Sequence, residues 1–396
     1  MKKSKADDNS AKKLTIGIDG RCLLDENYTG VGEYTIALLQ KLLKDYPEHN
    51  YLIFLNSFKN RNIQKKLLWL RSYENVRIKH YHWPSKLLNF SLWFFRYPKL
   101  DKLLGGVDIF IAPNISFLAV SKKTKFILTV HDLSFERFKE TFSWRRRLWH
   151  FIINPRQLAR EADEIWTVSR STKWDLEQLY KVRKDKIRVY PILQSMKNFQ
   201  RKNISEEKKK EVRKKYNLPN RFLLYLGTIE PRKNIVKIIK AFEYLRENKI
   251  LERNCKLVLA GQLGWRYNGI VRAINSSKYS TDIKLTDFVD PADKPYFYHL
   301  ATIFVYPSLF EGFGIPVVEA MVSETAVITS NNSSLPEIVG AGALMIDPDD
   351  LTDLIDALEL LFIDKKIREY YIKKGKKQAE QLLQKSRKIN LLETII

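Results

Sequence analysis

Two glutamates in the C-terminal half of the sequence lie where a charged ligand could bind. Glu311 and Glu319 belong to the segment SLFEGFGIPVVEAM, which predicts a loop after a strand and then a helix. Pro316 near the first turn leaves backbone N–H groups without helical partners, so this helix start is an anion site. A diphosphate bound there would place its sugar near Glu311 and its ribose near Glu319, because carboxylates accept hydroxyl hydrogen bonds. The residues of the loop are Gly312, Phe313, Gly314 and Ile315.

Positive charge follows another predicted strand. The segment RFLLYLGTIEPRKN (221–234) ends a strand at Gly227 and Thr228 and opens a helix at Arg232 and Lys233. A helix N-terminus disfavours cations, so two of them at this turn favour phosphate binding over a solvated surface. A lysine is a point charge suited to neutralise a diphosphate.

Both segments belong to a regular alternation of short apolar strands and amphipathic helices. The alternation predicts an α/β protein of two Rossmann-like domains facing a central cleft, with ligands at the carboxyl ends of parallel strands. A glycine loop is predicted at 29–35, after the first strand. The predicted strands are 14–23, 50–55, 107–113, 125–132 and 164–169 in the first half, and 221–228, 255–262, 283–289, 302–308, 325–331 and 342–347 in the second.

A charged, irregular stretch at about 191–220 separates the two halves. We therefore predict an N-terminal domain at 1–195, a C-terminal domain at 196–372, and a basic C-terminal helix at 373–396 that could pack back on the first domain. The length of 396 residues is sufficient for two domains that each bury a core.

The composition is that of an ordinary globular protein with a large positive charge. Hydrophobic residues make up 44% of the chain, and 69 Lys and Arg against 45 Asp and Glu give a net charge of +24. Nucleic acid, an anionic membrane or phosphorylated substrates would explain this charge, and so would a generally lysine-rich composition. Two separate cysteines, no signal peptide and no apolar run of about 20 residues predict a cytoplasmic protein whose membrane contact is at most peripheral.

Taken together, these segments resemble the retaining GT-B glycosyltransferases of family 4, whose signature is two glutamates separated by seven residues around a Gly-Phe-Gly core. Further similarities follow the family's order, in TGVGEYT, VHDLSF, LAREADEIWTVSRSTKWDL and LLYLGTIEPRKNIVKIIKAF. The resemblance covers nearly the whole chain. It implies a GT-B fold with the acceptor on the first domain and a nucleotide-sugar donor on the second. It also implies transfer with retention of configuration, without a metal or other cofactor.

The resemblance implies roles for residues of the second domain. Lys233 would neutralise the donor diphosphate, and Glu311 would position the sugar from a loop outside the core. In the family an arginine commonly follows the strand-end glycine, whereas this chain has Thr228 after Gly227. Arg232 would then supply the second cation.

In the first domain the resemblance implies a backbone contact and a side-chain contact. Gly30, Val31 and Gly32 match the loop that approaches the donor phosphate, where missing side chains let the backbone come close. His131 matches the histidine that lies against the donor sugar. Ser169 ends a strand at the same rim and could contact the ligand or cap the helix that follows.

The nucleotide base would lie over strand-end loops of the second domain, near Gln262 and at DFVD (287–290), which includes Val289. The family commonly has glycine where this chain has Asp287, so UDP and GDP both stay open. The segment GTIEPRKN is similar to the mannosyltransferase branch, which favours GDP-mannose. The acceptor would be a glycan or a lipid-linked sugar of polysaccharide biosynthesis.

Two nominal metal motifs are better explained by secondary structure. Asp347 and Asp349 form an Asp-x-Asp pair, but the surrounding sequence predicts the cap and acidic first turn of a helix. His80 and His82 would share a strand face without further ligands. No metal site is predicted.

The segment 82–100 interleaves aromatic and basic residues. Such a composition is typical of a helix that rests on an anionic membrane or gathers a lipid-linked acceptor. An amphipathic helix whose aromatic residues fill the core of the first domain would have the same composition. The aromatic residues are Trp83, Phe90, Trp93, Phe94 and Phe95, and the basic ones are Lys86, Arg96 and Lys99.

Two other functions fit the sequence less well. A basic nucleic-acid-binding protein would carry a recognisable helix-turn-helix, or a sheet surface with aromatic and basic residues interleaved, and we identify neither. Nucleotide-sugar epimerases and glycan phosphorylases share the GT-B architecture, and fold alone does not fix the reaction.

Overall fold

Strands and helices alternate throughout the residues that the computed structural model describes, which are 13–24, 30–58, 67–194 and 196–393. They form two sheets with helices between successive strands. Strand segments such as IFVY and AVITS are buried along their whole length, as expected for parallel strands covered on both faces. The predicted α/β class with two Rossmann-like sheets is confirmed.

Seven described strands form the first sheet. They are β1 (Thr15–Asp19), β2 (Asn50–Asn56), β3 (Val76–Tyr81), β4 (Ile109–Ala112), β5 (Lys125–Val130), β6 (Glu164–Thr167) and β7 (Ile187–Val189). Their order is β3-β2-β1-β4-β5-β6-β7. β1 pairs in parallel with both β2 and β4, so the strand order reverses there.

Six described strands form the second sheet. They are β8 (Arg221–Leu226), β9 (Cys255–Ala260), β10 (Ile283–Thr286), β11 (Ile303–Tyr306), β12 (Ala326–Ser330) and β13 (Leu344–Ile346). Their order is β10-β9-β8-β11-β12-β13. β8 lies between β9 and β11 in parallel, so the loops after β8 and β11 leave the same edge of the sheet side by side. These two loops contain Lys233 and Glu311.

The connecting helices are mostly short. They are α1 (Gly30–Asp45), α2 (Ser85–Phe94), α3 (Leu100–Leu103), α4 (Ser134–Arg137), α5 (Trp144–Ile153), α6 (Pro155–Glu161), α7 (Arg170–Tyr180), α8 (Glu206–Lys215), α9 (Ile235–Glu247), α10 (Asn268–Ser276), α11 (Lys294–Leu300), α12 (Ile315–Val322), α13 (Leu335–Val339), α14 (Leu351–Ile363) and α15 (Lys365–Lys388). None of the helices in the described ranges has the length and apolar content that spanning a bilayer requires.

Packing divides the chain into two compact units. The first consists of residues 1–130 and 152–166, and the second of residues 131–151 and 167–396. The second unit therefore includes the segment that begins at His131 as well as the whole second sheet. The domain boundaries proposed from the sequence stay a prediction.

The long C-terminal helix α15 supports the helix that begins at the predicted anion site. α15 packs against α12, α13 and α14 in the second unit. Gly375 permits this close packing, because a Cβ at its position would lie 2.8 Å from the carbonyl oxygen of Gly342. The position of α12 therefore depends on α15.

Two strands lie outside the series predicted from the sequence. β3 is at the edge of the first sheet, and its segment VRIKHY mixes polar and apolar residues that are mostly half-buried. β7 has only three residues. Both lack the apolar run that identifies a central strand.

The predicted glycine loop at 29–35 is wrong from Gly30 onward, because α1 begins at Gly30. Residue 29 lies outside the described part of the chain. Glycine has low helix propensity, but propensity is a weak guide when one face of a helix is buried. Leu38 and Leu42 are fully buried on α1, and this packing extends the helix back to the glycines.

The interpretation that the aromatic residues of 82–100 fill the core is wrong. Phe90, Trp93 and Phe94 on α2 are 50%, 44% and 63% exposed, whereas Leu88 and Leu92 on the same helix are buried. The aliphatic face of α2 is sufficient to attach it to the first unit. The aromatic face is left at the surface.

Candidate active site

The loop after β11 (307–314, here called the Glu311 loop) is fastened to the loops after β8 and β12. The N–H of Leu309 donates to the carbonyl of Arg232 at 2.8 Å, and the N–H of Glu311 donates to Ser333 Oγ at 3.0 Å. Ser334 Oγ donates to the carbonyl of Glu311 at 3.0 Å. Because β8, β11 and β12 are neighbours, the topology brings these loops together and fixes both backbone groups of Glu311.

The side chain of Glu311 is buried among positive charges. Glu311 is 7% exposed, accepts a hydrogen bond from Lys233 Nζ, and lies 3.5 Å from Arg232 Nη1. Burial alone would raise the pKa of this carboxyl, but Lys233 and Arg232 lower it to about 2. The expectation that Glu311 lies outside the core is wrong, because the loop turns inward and the two cations compensate the buried charge.

A second buried carboxylate, Glu230, completes the group. Glu230 is 1% exposed, accepts a hydrogen bond from Arg232 Nε at 3.1 Å, and forms an ion pair with Arg232 Nη2 at 2.8 Å. Arg232 Nη1 also donates to the carbonyl of Phe310 at 2.6 Å, and Lys233 Nζ donates to Tyr306 Oη at 2.8 Å. We call Glu230, Arg232, Lys233 and Glu311 the buried ion cluster.

Sequence reasoning did not single out Glu230. The available signal was a glutamate directly before Pro-Arg-Lys, just after a buried strand. An acidic side chain at such a position is expected to be buried and to need a positive partner. The meaning of an acid so close to two bases becomes apparent only once the fold brings the Glu311 loop against this turn.

Burial is the largest influence on the pKa of each remaining member of the cluster. It raises the pKa of Glu230 against the opposing effect of Arg232, and together with Arg232 it lowers the pKa of Lys233. Burial would also lower the pKa of Arg232, but Glu311 and Glu230 raise it. With two cations and two carboxylates, the fully ionised cluster carries no net charge.

The start of α12 adds the positive end of a helix to this neutral cluster. Gly314 precedes the helix with a φ of +96°, and Pro316 lies in the first turn. This positive φ favours glycine, because other residues adopt it only with strain. No side chain in the described ranges caps this N-terminus. The predicted loop and helix are confirmed, and their geometry suits an anion.

The segment that begins at His131 lies against the Glu311 loop within the second unit. A Cβ on Gly312 would be 2.2 Å from the carbonyl oxygen of His131, so a side chain at this position would prevent the approach. Thr172 Oγ1 donates to the same carbonyl at 2.9 Å. The rings of Phe138 and Phe310 also meet, with centroids 5.6 Å apart. The structure therefore joins the backbone of His131 to the Glu311 loop.

Glu319 is held by a different set of side chains. It is buried in α12, where its carboxylate accepts a hydrogen bond from Tyr298 Oη at 2.7 Å and lies 3.9 Å from Lys294 Nζ. Glu319 and Glu311 therefore have separate partners. The contact of Glu319 with a ribose stays a prediction.

The donor-binding residues predicted at strand ends of the second domain follow three neighbouring strands. Gly227 and Thr228 follow β8, Gln262 follows β9 and Val289 follows β10. The N–H of Ile229 donates to the carbonyl of Gln262 at 2.8 Å, which joins the first two loops. Thr228 and Gln262 are exposed, whereas Val289 is buried. Contact of these residues with the donor stays a prediction.

Two predictions concern residues near strand ends of the N-terminal half. Gly30, Val31 and Gly32 lie in the first unit, at the N-terminal turn of α1, and their role toward a phosphate stays a prediction. Ser169 Oγ accepts a hydrogen bond from the N–H of Thr172 at 3.1 Å. The interpretation of Ser169 as a helix cap is therefore confirmed.

The described residues contain no group of three or more His, Cys, Asp or Glu side chains arranged to hold a metal ion. The helix predicted after the Asp-x-Asp pair is present as α14, but its cap is Asp350. Asp347 and Asp349 precede the helix, and Asp347 Oδ1 accepts a hydrogen bond from the N–H of Asp349 at 2.8 Å. These carboxylates organise a turn.

Comparison with known proteins finds relatives among bacterial mannosyltransferases. The O-antigen chain mannosyltransferase B of Escherichia coli is 38% identical over 161 residues, which are 40% of this chain and 42% of the relative. The serotype-specific mannosyltransferase WbdA of Escherichia coli is 31% identical over 254 residues, which are 63% of this chain and 31% of the relative. The chain spans less than half the length of these two curated relatives.

Similarity to a solved structure and to two family models covers more of the chain. The crystal structure of Anabaena Alr3699/HepE in complex with UDP and glucose matches with a TM-score of 0.70 and 16% identity, over 94% of this chain and 98% of that one. This similarity shows the fold, and it is the predicted GT-B fold. The model for Glycosyltransferase Family 4 matches residues 28–191, and the model for Glycosyl transferases group 1 matches residues 206–378. The chain therefore belongs to the glycosyltransferases of family 4 and group 1.

Proposed function

We propose that the chain is a retaining hexosyltransferase that transfers mannose from a nucleotide diphosphate sugar to a glycan or lipid-linked acceptor. The observation that carries the proposal is the convergence of Lys233 and Arg232 on Glu311 beside the N-terminus of α12. Mannose is supported by the two Escherichia coli relatives, which are both named mannosyltransferases. Residues 196–372 would hold the donor, and residues 1–195 the acceptor.

In this proposal the donor diphosphate binds at the start of α12, where backbone N–H groups of residues 312–315 donate to it. Lys233 replaces part of its contact with Glu311 by a contact with the phosphate as charge grows on the leaving group. Arg232 already contacts Glu230, the Phe310 carbonyl and Glu311, so its main role is to hold the Glu311 loop in place.

Glu311 would accept hydrogen bonds from sugar hydroxyls. With a pKa of about 2 it is ionised at neutral pH and cannot act as a general acid. Its pairing with two cations also makes it a weak nucleophile, which argues against a covalent glycosyl-enzyme intermediate. We therefore favour attack by the acceptor hydroxyl on the face that the diphosphate leaves. The bond from the anomeric carbon to the phosphate breaks, the bond to the acceptor oxygen forms, and a phosphate oxygen takes the proton.

The backbone contact between His131 and Gly312 supports a role for His131 at the donor sugar.

We propose guanine as the base, because GTIEPRKN is similar to the mannosyltransferase branch. UDP is the alternative, since the matched Anabaena structure contains UDP. Neither base requires a metal in this proposal, because the protein's own groups meet the charge of the diphosphate.

Thermal unfolding in the presence of GDP- and UDP-sugars tests the donor site. A ligand that binds only the folded state raises the melting temperature, and at a fixed concentration a tighter ligand raises it more. We expect GDP-mannose to protect the wild-type protein most and to protect Lys233→Ala somewhat less, while the exposed control Lys240→Ala behaves as wild type. Protection by UDP-sugars alone would show that the base is uracil rather than guanine, and protection by none would contradict the proposal.

The stereochemistry of the product tests the mechanism. A retaining enzyme given an α-linked donor forms an α-linked product, which proton NMR of the anomeric position distinguishes from the β-linked product. A β-linked product would contradict retention while leaving the donor site intact. Hydrolysis or epimerisation of the donor without transfer would favour the other reactions of this architecture.

We further propose that the protein works at an anionic membrane surface on the cytoplasmic side, where a lipid-linked acceptor would be found. The exposed aromatic face of α2 supports this location, because Phe90, Trp93 and Phe94 contact one another at the surface rather than the core. Lys86 on the same helix is exposed and would meet lipid phosphates.

A further inference from the structure

Helix α5 points its apolar residues toward solvent. Trp144, Leu148 and Phe151 are spaced by four and three positions, so they lie on one face of the helix. They are 68%, 48% and 81% exposed, and we call them the outer stripe. In a surface helix such a stripe normally faces the core. On α5 the apolar stripe faces solvent instead.

The opposite face of α5 is used by the fold. The ring of His150 stacks on Phe135 with centroids 3.9 Å apart, and the guanidinium of Arg146 lies 4.1 Å from the ring centroid of Trp265. Ile153, one turn further along the helix, is buried. These contacts fix the rotation of α5, so the outer stripe cannot turn inward without breaking them. The exposure of the stripe follows from the packing.

The sequence around the outer stripe is rich in positive charge, between the exposed acids Glu140 and Glu161. Arg145 and Arg147 are exposed next to it. Residues 141–160 contain five arginines and no aspartate or glutamate. A helix face that is merely solvated usually mixes both signs, so this region complements an extended negative surface. Tryptophan beside apolar and arginine side chains is typical of helices that lie in the headgroup layer of a membrane.

We propose that α5 binds the surface of an anionic phospholipid bilayer. The outer stripe enters the headgroup layer, and Arg145 and Arg147 bind lipid phosphates. Phe138 lies a few residues before α5 in the sequence, and its ring contacts Phe310 in the Glu311 loop. The membrane contact is therefore built on the same segment as the proposed donor site, as suits an acceptor carried by a lipid. The inference deepens the proposed function, but vesicle binding does not require transferase activity.

Vesicle sedimentation with the full-length protein tests this surface. One variant, Trp144→Ser with Phe151→Ser, removes apolar side chains, and a second, Arg145→Glu with Arg147→Glu, reverses charge. Tyr244→Ser with Tyr370→Ser is the matched control for exposed aromatic residues. Lys373→Glu with Lys377→Glu is the control for the change in net charge. Each protein is mixed with vesicles of phosphatidylcholine alone and with vesicles that also contain phosphatidylglycerol.

We expect both α5 variants to bind the phosphatidylglycerol vesicles roughly tenfold or more weakly than wild type, because each arginine and each apolar side chain contributes separately. Both controls should bind as wild type, and no protein should bind phosphatidylcholine alone. The loss should also appear in a protein that carries Trp93→Ser and Phe94→Ser on α2. Wild-type binding by the two α5 variants would overturn the proposal.

Two further measurements separate this inference from its alternatives. Sedimentation velocity without lipid reports self-association, and a wild-type dimer that both α5 variants convert to monomer would show that a second copy covers the outer stripe, which overturns the proposal. Protection by the donor against thermal unfolding should be unchanged in both variants. A failure of membrane binding would therefore leave the donor site intact, and a failure of the donor site would leave membrane binding intact. The charge-reversal variant keeps the test decisive if the apolar variant misfolds.

Discussion

The buried ion cluster and the outer stripe of α5 both reverse the usual distribution of side chains. In the cluster, charged groups that normally face water are buried, and on α5, aromatic and aliphatic groups that normally fill a core face water. Each arrangement costs stability compared with its opposite, so folding alone explains neither. The cluster concentrates charge where a small charged ligand would bind, whereas the stripe offers apolar area to a large, flat partner.

The two regions also differ in charge balance, and this difference predicts how each responds to mutation. The cluster pairs two cations with two carboxylates, so removal of one member leaves a buried charge without its partner. Residues 141–160 have five arginines and no acid, and an exposed residue removed there leaves no buried charge behind. Changes in the cluster should therefore lower both stability and activity. Changes in the exposed helices should affect only binding to a surface.

The largest effect is expected at Glu311. Glu311→Ala leaves Lys233 buried without its carboxylate, so the free energy of unfolding should fall by about 3–5 kcal/mol. Transferase activity should fall roughly 100-fold or more. Glu311→Gln keeps the size of the side chain and separates the loss of activity from the loss of stability. Urea unfolding and steady-state kinetics measure both effects, with Glu380→Ala on the exposed face of α15 as the control. Wild-type turnover by folded Glu311→Gln would show that Glu311 does not belong to the active site.

The two cations of the cluster should differ in their effect on catalysis. Lys233→Ala should lower kcat roughly 100-fold or more, with a smaller effect on donor affinity, because leaving-group charge grows in the transition state. Arg232→Ala should lower kcat less and stability at least as much, since Arg232 contacts Glu230 and Phe310 as well as Glu311. Kinetics and urea unfolding of the two single variants test this order.

Thr228 should not be a silent position. If Arg232 stands in for the arginine that the family commonly has after the strand-end glycine, Thr228→Arg should partly restore activity to Arg232→Ala but not to Lys233→Ala. The exposed position of Thr228 leaves room for the longer side chain. The measurement is kcat of the single variant and of the two double variants. Equal rescue of both, or normal turnover by Lys233→Ala, would show that the phosphate site lies elsewhere.

Low pH should reduce the stability that the buried ion cluster contributes. Burial opposes ionisation of Glu311, but Lys233 and Arg232 lower its pKa from 4.5 to about 2, so the folded state binds a proton less readily than the unfolded chain. The stabilisation is complete above the ordinary glutamate value and is lost as the pH falls from there toward about 2. Between about pH 5 and about pH 3, wild type should lose more stability in urea titrations than Glu311→Gln. Parallel curves for the two proteins would contradict the ion pair.

A smaller effect is expected on α2. Trp93→Ser with Phe94→Ser should weaken binding to anionic vesicles several-fold and leave the melting temperature nearly unchanged, because both side chains are exposed. Binding should weaken further with added salt. Tyr244→Ser, an exposed aromatic change on α9, should bind as wild type. If neither salt nor the α2 changes weaken binding, α2 does not contact the membrane.

Removal of divalent metal should have the smallest effect. Because the proposed site meets the charge of the diphosphate with Lys233 and with backbone N–H groups, turnover should be the same before and after treatment with EDTA. The measurement is the initial rate with and without the chelator, and again after magnesium is restored. Strict dependence on added metal would contradict this account of the leaving group.

Most of the strands were predictable, because parallel strands buried on both faces are continuous apolar runs. RFLLYL, CKLVLA and AVITS each form a strand of the second sheet, as predicted. VRIKHY at the edge of the first sheet shows the limit of this signal, because an edge strand need not be apolar throughout. The helical start at Gly30 was missed for a related reason, since the packing of α1 outweighed the low propensity of glycine.

The candidate site was predictable only in part. The order strand, loop, glycine and helix around Glu311 indicated an anion site, and Pro316 marked the helix start. That Glu311 is buried and paired with Lys233 could not be derived from the sequence, because the two residues come from separate loops joined by the pairing of β8 with β11. Glu230 escaped notice because its partner is defined by the same tertiary contact.

The sequence by itself therefore determined the alternation of strands and helices, the residues of the Glu311 loop, and the family to which the chain belongs. These depend on periodicity, turn residues and short motifs, which are local properties. Tertiary structure alone decided the burial and charge balance of the cluster and the outward direction of the aromatic residues on α2 and α5. An apolar stripe specifies an amphipathic helix but not which face turns inward. On α5, the contacts of His150 and Arg146 determine that direction.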